Sequence, residues 1–277
     1  MPSMDRNEIR RRFTERRRKG EPLLLGGAGI GLVAKAADRA GIDALMAYNT
    51  GPFRMNGHGS LSGYLAYGDA NGITIDLAQK ILPVVKATPV LAGIGAADPY
   101  RDIGTLISQL MELGYSGITN VPTAGIYDGS FRQHIDATDL GYPKEVDLIG
   151  ECNRRDIFTV AYAFTPEEAA AMTEAGADVI GAHVGLTVGG FIGAQHAVAL
   201  DEACSKVEAM TAAARAVRPD VWVVAHGGPF DDATSVQAVF DRVDVDGFLG
   251  ASSIERLPVE EAIGASVKAF HSLSLKR

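Results

Sequence analysis

Val221-Trp222-Val223-Val224-Ala225-His226-Gly227-Gly228-Pro229 opens the stretch whose reading decides the fold. A short run rich in β-branched residues stops abruptly at a histidine and a glycine pair. Residues 231–240 then read as a helix capped by Asp231 or Asp232. A second apolar run, Val245-Asp246-Gly247-Phe248-Leu249, ends in Gly250-Ala251-Ser252-Ser253. The order is strand, glycine turn, helix, strand, glycine turn. Where a strand ends and a helix begins, free backbone N–H groups and the positive end of the helix dipole form a ready anion site. In a βα barrel, the turns after the last two strands are a common place for phosphate. Glycines that merely permit tight turns are the simpler alternative. Two adjacent turns, one carrying His226 and the other Ser252 and Ser253, favour an anion site built from Gly227, Gly228, Gly250 and those serines.

The same unit recurs towards the N-terminus. Residues 22–25 form an apolar run closing on Gly26-Gly27-Ala28-Gly29, and residues 43–48 one closing on Asn49-Thr50-Gly51. Residues 89–94 close on Gly95, with Asp98 just beyond, and residues 116–121 contain Asn120 at their end. Residues 157–162 end on Tyr162, and residues 178–182 on His183. With the opening stretch this makes eight strand–helix units. The strands are continuous apolar runs rather than alternating ones, as expected for strands covered on both faces. The pattern predicts an α/β fold, a (β/α)8 TIM barrel over residues 21–277, with an extra basic helix over residues 1–20 in front of it. A doubly wound open sheet fits less well, because the pattern has no topological break. The long turn-rich connection at residues 52–72 reads as a lid or a subunit contact, and residues 185–195 as a mobile loop. Residues 124–155 hold a glycine turn, a short helix near 130–137 and a helix near 144–155, and residues 258–273 close the chain as a helix.

Charge and composition narrow the function. The net charge of -8 argues against a general nucleic-acid binder. No apolar run approaches the ~18 residues a membrane span requires. Residues 1–20 hold eight Lys/Arg and three Asp/Glu, a local surplus of +5 that leaves -13 for the remainder. This basic start lacks the apolar core of a secretory signal, and it reads as a solvated helix packing on an acidic neighbour. Cys152 and Cys204 are the only cysteines. Two distant thiols without an export signal point to a reducing, cytoplasmic setting, and no Cys/His pair has zinc spacing.

In a barrel, the residues just past each strand face one mouth. Here they are Gly27, Gly29, Asn49, Asp98, Asn120, Tyr162, His183, His226, Ser252, Ser253 and Glu255, a polar ring above apolar strands. No lysine falls at a strand end, which disfavours Schiff-base chemistry. The run Gly27-Ala28-Gly29-Ile30-Gly31 resembles a dinucleotide fingerprint, but its third glycine comes one position early. The second strand also ends in Asn49 rather than in an acid for the ribose. His183 and His226, on adjacent strand ends, are candidates for proton transfer near neutral pH or, when protonated, for anion binding. Glu255 joins them as a candidate catalytic group. Asn49 and Asn120 are placed to hold a developing enolate oxygen.

Four segments carry a family resemblance: Leu25-Gly26-Gly27-Ala28-Gly29-Ile30-Gly31, Ala47-Tyr48-Asn49-Thr50-Gly51, Asn120-Val121-Pro122-Thr123, and Gly250-Ala251-Ser252-Ser253-Ile254-Glu255-Arg256-Leu257-Pro258. The chain resembles the phosphoenolpyruvate hydrolase-like TIM-barrel family over nearly everything after the basic helix. The resemblance implies a barrel of the phosphoenolpyruvate/pyruvate type, a homo-oligomer, and a hydrolase or lyase acting on a small phosphorylated or phosphonylated keto-acid such as phosphoenolpyruvate or phosphonopyruvate. Better-understood enzymes of the wider superfamily hold Mg2+ with a cluster of acids at the mouth. Here the cofactor is left open, because the fourth strand ends in Asn120 and Asp98 is the best single candidate for a metal ligand. Two other readings compete: a non-catalytic barrel that senses a small anionic metabolite, and an interaction domain acting through the basic helix.

Overall fold

The computed structural model describes residues 3–276. Helix α1 (Arg6–Arg18) precedes strand β1 (Leu23–Gly27), helix α2 (Gly31–Ala40) and strand β2 (Ala44–Ala47). The segment read as turn-rich then folds as helix α3 (Thr50–Met55) and a 3-10 turn at Ser60–Tyr64 before helix α4 (Ala70–Ile81). Strand β3 (Val90–Gly93), helix α5 (Ile103–Leu113) and strand β4 (Gly117–Thr119) follow, then helices α6 (Gly129–Ala137) and α7 (Pro143–Arg154). The chain continues through β5 (Phe158–Ala163), α8 (Pro166–Glu174), β6 (Val179–His183), α9 (Leu200–Val217) and β7 (Trp222–His226). It closes with α10 (Ala233–Phe240), β8 (Gly247–Gly250) and α11 (Ser252–His271). All eight strands are parallel and close into one barrel in sequence order, β8 pairing with β1. Among the described residues no helix is long and apolar enough to cross a membrane.

Local sequence explains the boundaries. Thr165 caps α8, accepting from the Glu168 N–H, and Pro166 takes the first helical position, where no N–H is needed. Asp232 and Ser235 form a reciprocal capping box on α10. Helix α11 starts six residues earlier than the proline at 258 suggested: Pro258 lies in its first two turns, and Ser252 is its first residue. That shift matters for the site, because it brings the helix N-terminus to the end of β8.

The barrel interior is a layer of inward-facing residues that includes Leu23, Leu25, Met46, Leu91, Phe158, Val160, Val224 and Leu249. Two larger clusters lie between the sheet and the helices. The basic N-terminal helix is not the solvated element its charge suggested. Ile9 and Phe13 of α1 are buried in the inner cluster, and the Phe13 ring meets those of Phe158 and Trp222 edge-on at 5.4 and 5.5 Å. The arginines of α1 pair with this barrel's own acids. Arg6 Nε lies 3.0 Å from both carboxylate oxygens of Asp178, Arg10 reaches the same carboxylate at 3.0 Å, Arg16 reaches Asp43 at 3.2 Å, and Arg17 pairs with Asp246. Each of these aspartates precedes an even-numbered strand and also accepts a backbone N–H from the strand before it: Asp43 from Leu24, Asp178 from Thr159, Asp246 from Val223. Charge counting located the basic surplus, and Arg6, Arg10, Arg16 and Arg17 spend it on acids of the same chain that are spread far apart in sequence.

Candidate active site at the barrel mouth

A cavity of ≈ 270 Å³ opens at the carboxyl-terminal ends of the strands. Its wall includes Tyr48 and Thr50 after β2, Arg54 of α3, Ser60 and Tyr64 of the 3-10 turn, Tyr162 of β5, and His183 and His226 at the ends of β6 and β7. Ala251, Ser252 and Arg256 contribute from the start of α11, and Gly185, Thr187 and Ile192 from the loop after β6. The sequence expectation that His183, His226 and Ser252 share one basin is met by this arrangement.

His183 and His226 are register partners on neighbouring strands. Their rings meet edge-on, with centroids 4.5 Å apart. Both are buried, and Phe164 stacks on His183 at 4.4 Å. Burial pushes the His226 imidazole down to about 4, against the upward pull of its bond to the Leu249 carbonyl and with a further downward push from Arg54. His183 falls well below its ordinary value through burial and the neighbouring His226. Both rings are therefore neutral at pH 7, and the cationic anion-binding role considered for them from sequence does not suit this environment. Their hydrogen bonds assign complementary tautomers. His226 Nδ1 faces the Leu249 carbonyl at 2.6 Å and must carry the proton, leaving Nε2 with a free lone pair. His183 Nδ1 accepts the Gly185 N–H at 3.0 Å, so its proton sits on Nε2.

Positive charge enters the site through residues the sequence reading did not assign to it. Arg54 is 4 % exposed. Its Nε donates to Glu255 Oε1 at 2.7 Å, and its Nη1 donates to Thr50 Oγ1 at 2.8 Å and Ser60 Oγ at 3.3 Å. Burial works against the guanidinium charge, but Glu255 and Tyr48 together more than offset it, so Arg54 stays cationic. Its Nη2 contacts Glu255 closely but has no aligned hydrogen-bond acceptor. Arg256, equally buried, donates to Glu260 at 3.0 Å and to the Gly189 carbonyl at 3.0 Å, tying α11 to the loop after β6. The N-terminus of α11, the helix that carries Arg256, has no side-chain cap. A faint signal existed: Arg54 lies in the first long connection, Arg256 in the most specific family segment, and a buried Glu255 requires a cation.

The other expected residues lie around the cavity rather than in it. Glu255 is buried behind the wall, and both its oxygens are engaged, Oε1 by Arg54 and Oε2 by the Gly29 N–H at 2.8 Å. Gly29 therefore positions Glu255 instead of a ligand, and it must be glycine because a Cβ there would overlap the Gly51 backbone. Gly27 backs Tyr48, Arg54 and Glu255. Asn120 is fully occupied: its Oδ1 accepts the Tyr162 N–H at 2.7 Å, and its Nδ2 donates to Glu145 at 2.5 Å and the Tyr162 carbonyl at 3.2 Å. It cannot also hold an enolate. Asn49 donates to the Gly63 carbonyl at 2.5 Å and keeps a buried Oδ1 with no partner, an acceptor that an enolate oxygen would repel. Gly227 and Gly228 adopt left-handed backbone, φ +83 and +56. The Gly228 N–H is spent on the Gly185 carbonyl at 2.8 Å, so this turn braces the loop after β6 instead of cradling an anion. Gly250 lies within β8 beneath Ile254, and Ser253 sits beside it on the first turn of α11, outside the cavity wall. Of the anion-binding set, Ser252 alone lines the cavity.

Asp98 is displaced from the mouth. It lines a separate pocket, where its carboxylate accepts from Asn71 at 2.8 Å and Arg101 at 2.8 Å. Among the described residues no carboxylate lines the mouth cavity, and no group of three or more His, Cys, Asp or Glu has metal-binding geometry. Mg2+ takes hard oxygen donors, usually with carboxylates among them. A wall carrying two guanidinium groups and neutral imidazoles does not fit it.

The family model described as phosphoenolpyruvate hydrolase-like matches residues 8–273. The chain belongs to that family. Among curated relatives, the ToMV susceptible protein tm-1(GCR26) of Solanum lycopersicum is 46% identical over 259 residues, covering 93% of this chain and 34% of the relative. The ToMV resistance protein Tm-1(GCR237) of the same plant is 45% identical over 272 residues, 98% of this chain and 36% of the relative. The chain thus spans about a third of the length of these relatives. A solved phosphonopyruvate hydrolase, in complex with oxalate and Mg2+, superposes with a TM-score of 0.58 at 18% identity, covering 97% of this chain and 86% of the other. At that identity the likeness establishes the barrel fold and nothing finer.

Proposed function

We propose that this phosphoenolpyruvate hydrolase-like barrel takes a small phosphorylated, phosphonylated or carboxylated keto-acid into the mouth cavity and cleaves it as a hydrolase or lyase. The observation that carries this reading is one cavity walled by two buried arginines and two neutral histidines of opposite tautomer. Its ≈ 270 Å³ suits a metabolite of a few heavy atoms rather than a cofactor. The arginines and the free N-terminus of α11 attract the anionic groups. His183 Nε2–H is a neutral donor for the keto or enolate oxygen, the use to which a depressed imidazole is best suited. His226 Nε2 is the acceptor for a proton from water or from carbon. Empty, it is a weak base, and a bound anion raises its proton affinity towards neutrality. Tyr48 and Tyr162, raised by burial, stay protonated and supply further donors.

The test is direct assay of pyruvate and phosphate release from phosphoenolpyruvate and phosphonopyruvate. Wild type should turn over at least one of them, and His226→Asn, which keeps a polar group towards Leu249, should lower kcat by about 10²–10⁴. Absence of release from every keto-acid of this class sinks the catalytic reading. The low proton affinity of His226 also favours a second reading, a non-catalytic barrel that senses the same metabolite. Thermal stabilisation by phosphoenolpyruvate without product, unchanged in His226→Asn, would select it.

A further inference from the structure

The mouth of this barrel solves a charge problem in an unusual way. A ligand with two anionic groups entering a mostly apolar hollow must be neutralised there. Carboxylates holding a divalent cation are one solution, and they are missing from this wall. Glu255 and Glu260, the acids nearest to it, are each committed to an arginine. Arginine is the other solution. Arg54 and Arg256 are 4 % and 3 % exposed, so both guanidinium groups are held in place with most of their hydration removed. Arg54 Nε and Nη2 both lie against Glu255, and Nη1 holds the hydroxyls of Thr50 and Ser60, which line the cavity. Thr50 and Ser60 flank Arg54 on the cavity wall, and Ser252, with the uncapped first turn of α11, flanks Arg256. Both sets of residues line one hollow, together with the histidine pair.

Resting on the functional reading above, we infer that the ligand is a dianion with two acidic groups, one on Arg54 and one on Arg256 and the start of α11, and that it binds without a divalent cation. The Nη1 edge of Arg54, with the Thr50 and Ser60 hydroxyls it holds, meets the first group. The two cations stand where a metal would otherwise neutralise the ligand, and they repel one. The Arg256 bond to the Gly189 carbonyl ties the loop after β6 to the residue that meets the second group.

Calorimetric titration of the full chain with phosphoenolpyruvate, oxalate and pyruvate, each in EDTA and again in excess Mg2+, tests this. Phosphoenolpyruvate or oxalate should bind in EDTA with an affinity no lower than in Mg2+, and pyruvate, with one acidic group, should bind at least about tenfold more weakly. The double variant Arg54→Gln/Glu255→Gln removes the pair without leaving a lone buried charge. It should fold, by its circular dichroism and melting, and bind phosphoenolpyruvate at least about tenfold more weakly. Binding that appears only with Mg2+, pyruvate binding as tightly as the dianions, or a folded double variant of undiminished affinity each overturns the inference while leaving an anion site standing. Failure of every keto-acid anion to bind under both conditions overturns the functional reading as well.

Discussion

Replacing Phe13 with alanine tests whether the basic helix is part of the barrel or an appendage. Phe13 is 1 % exposed beneath the barrel floor and meets Phe158 and Trp222 edge-on. Truncating a buried phenylalanine costs about 3–5 kcal/mol through lost burial and the remaining cavity. Two aromatic contacts place Phe13→Ala in the upper half of that span. At roughly 2 °C per kcal/mol for a chain of this size, the melting temperature should fall by about 8–10 °C. The assay is built into the protein, since Trp222 is its only tryptophan and lies against Phe13, with Arg10 over its indole at 5.8 Å. Urea unfolding followed by tryptophan emission should show a lower midpoint, and the folded-state emission should shift to the red as the indole is uncovered. A folded-state spectrum identical to wild type, with a stability loss under about 1 kcal/mol, would refute the idea that α1 plugs the floor, and the helix would then be a dispensable extension.

Three further outcomes follow from the same geometry. Asp178→Asn leaves the buried Arg6 with only the exposed Asp156 carboxylate at 3.6 Å and should cost about 3–5 kcal/mol in chemical denaturation, whereas Glu15→Gln, on the exposed side of α1, should change little. For His226 the folded-state value is depressed to about 4 against an ordinary value of 6.5, so the unfolded chain takes the proton first. Stability is therefore intact above about pH 6.5 and should fall by up to roughly 3 kcal/mol as pH drops towards 4, a loss that His226→Asn should lessen in urea midpoints measured at pH 7 and pH 5. Glu145 works in the opposite sense. Burial pushes its carboxyl up to about 8 against the pull of Thr123, Ala124 and Asn120, so its contribution is full below about 4.5 and lost as pH rises through 8. Infrared difference spectra should show its protonated carboxyl disappearing near that pH.

The scaffold was legible because parallel strands covered on both faces write themselves as continuous apolar runs, and those runs recurred between helices. The stretch from Val221 to Ser253 gave both its strands and the α10 cap at Asp232. The position of the mouth was legible too, since His183 and His226 end neighbouring strands. What the sequence hid was which polar groups were already spoken for. Asn120 and Gly29 read as substrate-binding and Glu255 as catalytic because they sit at strand ends, yet each is consumed by a bond to a residue far along the chain, such as the 226 positions between Gly29 and Glu255. Arg54 was concealed for the converse reason: it comes from a connection, and only the folding of residues 50–55 into α3 turns it inwards. The docking of the basic helix on its own barrel was hidden too, because net charge records a surplus and not the address of its counter-ions.

The aspartates under the barrel have a wider consequence. By clasping the backbone of the preceding strand as well as an arginine of α1, Asp43, Asp178 and Asp246 fasten three of the strand pairings at their lower ends, where a slip of one residue would turn hydrocarbon outward. Alignment of the staves is thereby settled at the base, away from the loops that wall the cavity. The upper rim is left free to be rewritten, so insertions and exchanges after β2, β4 and β6 can reshape the cavity without loosening its hoops.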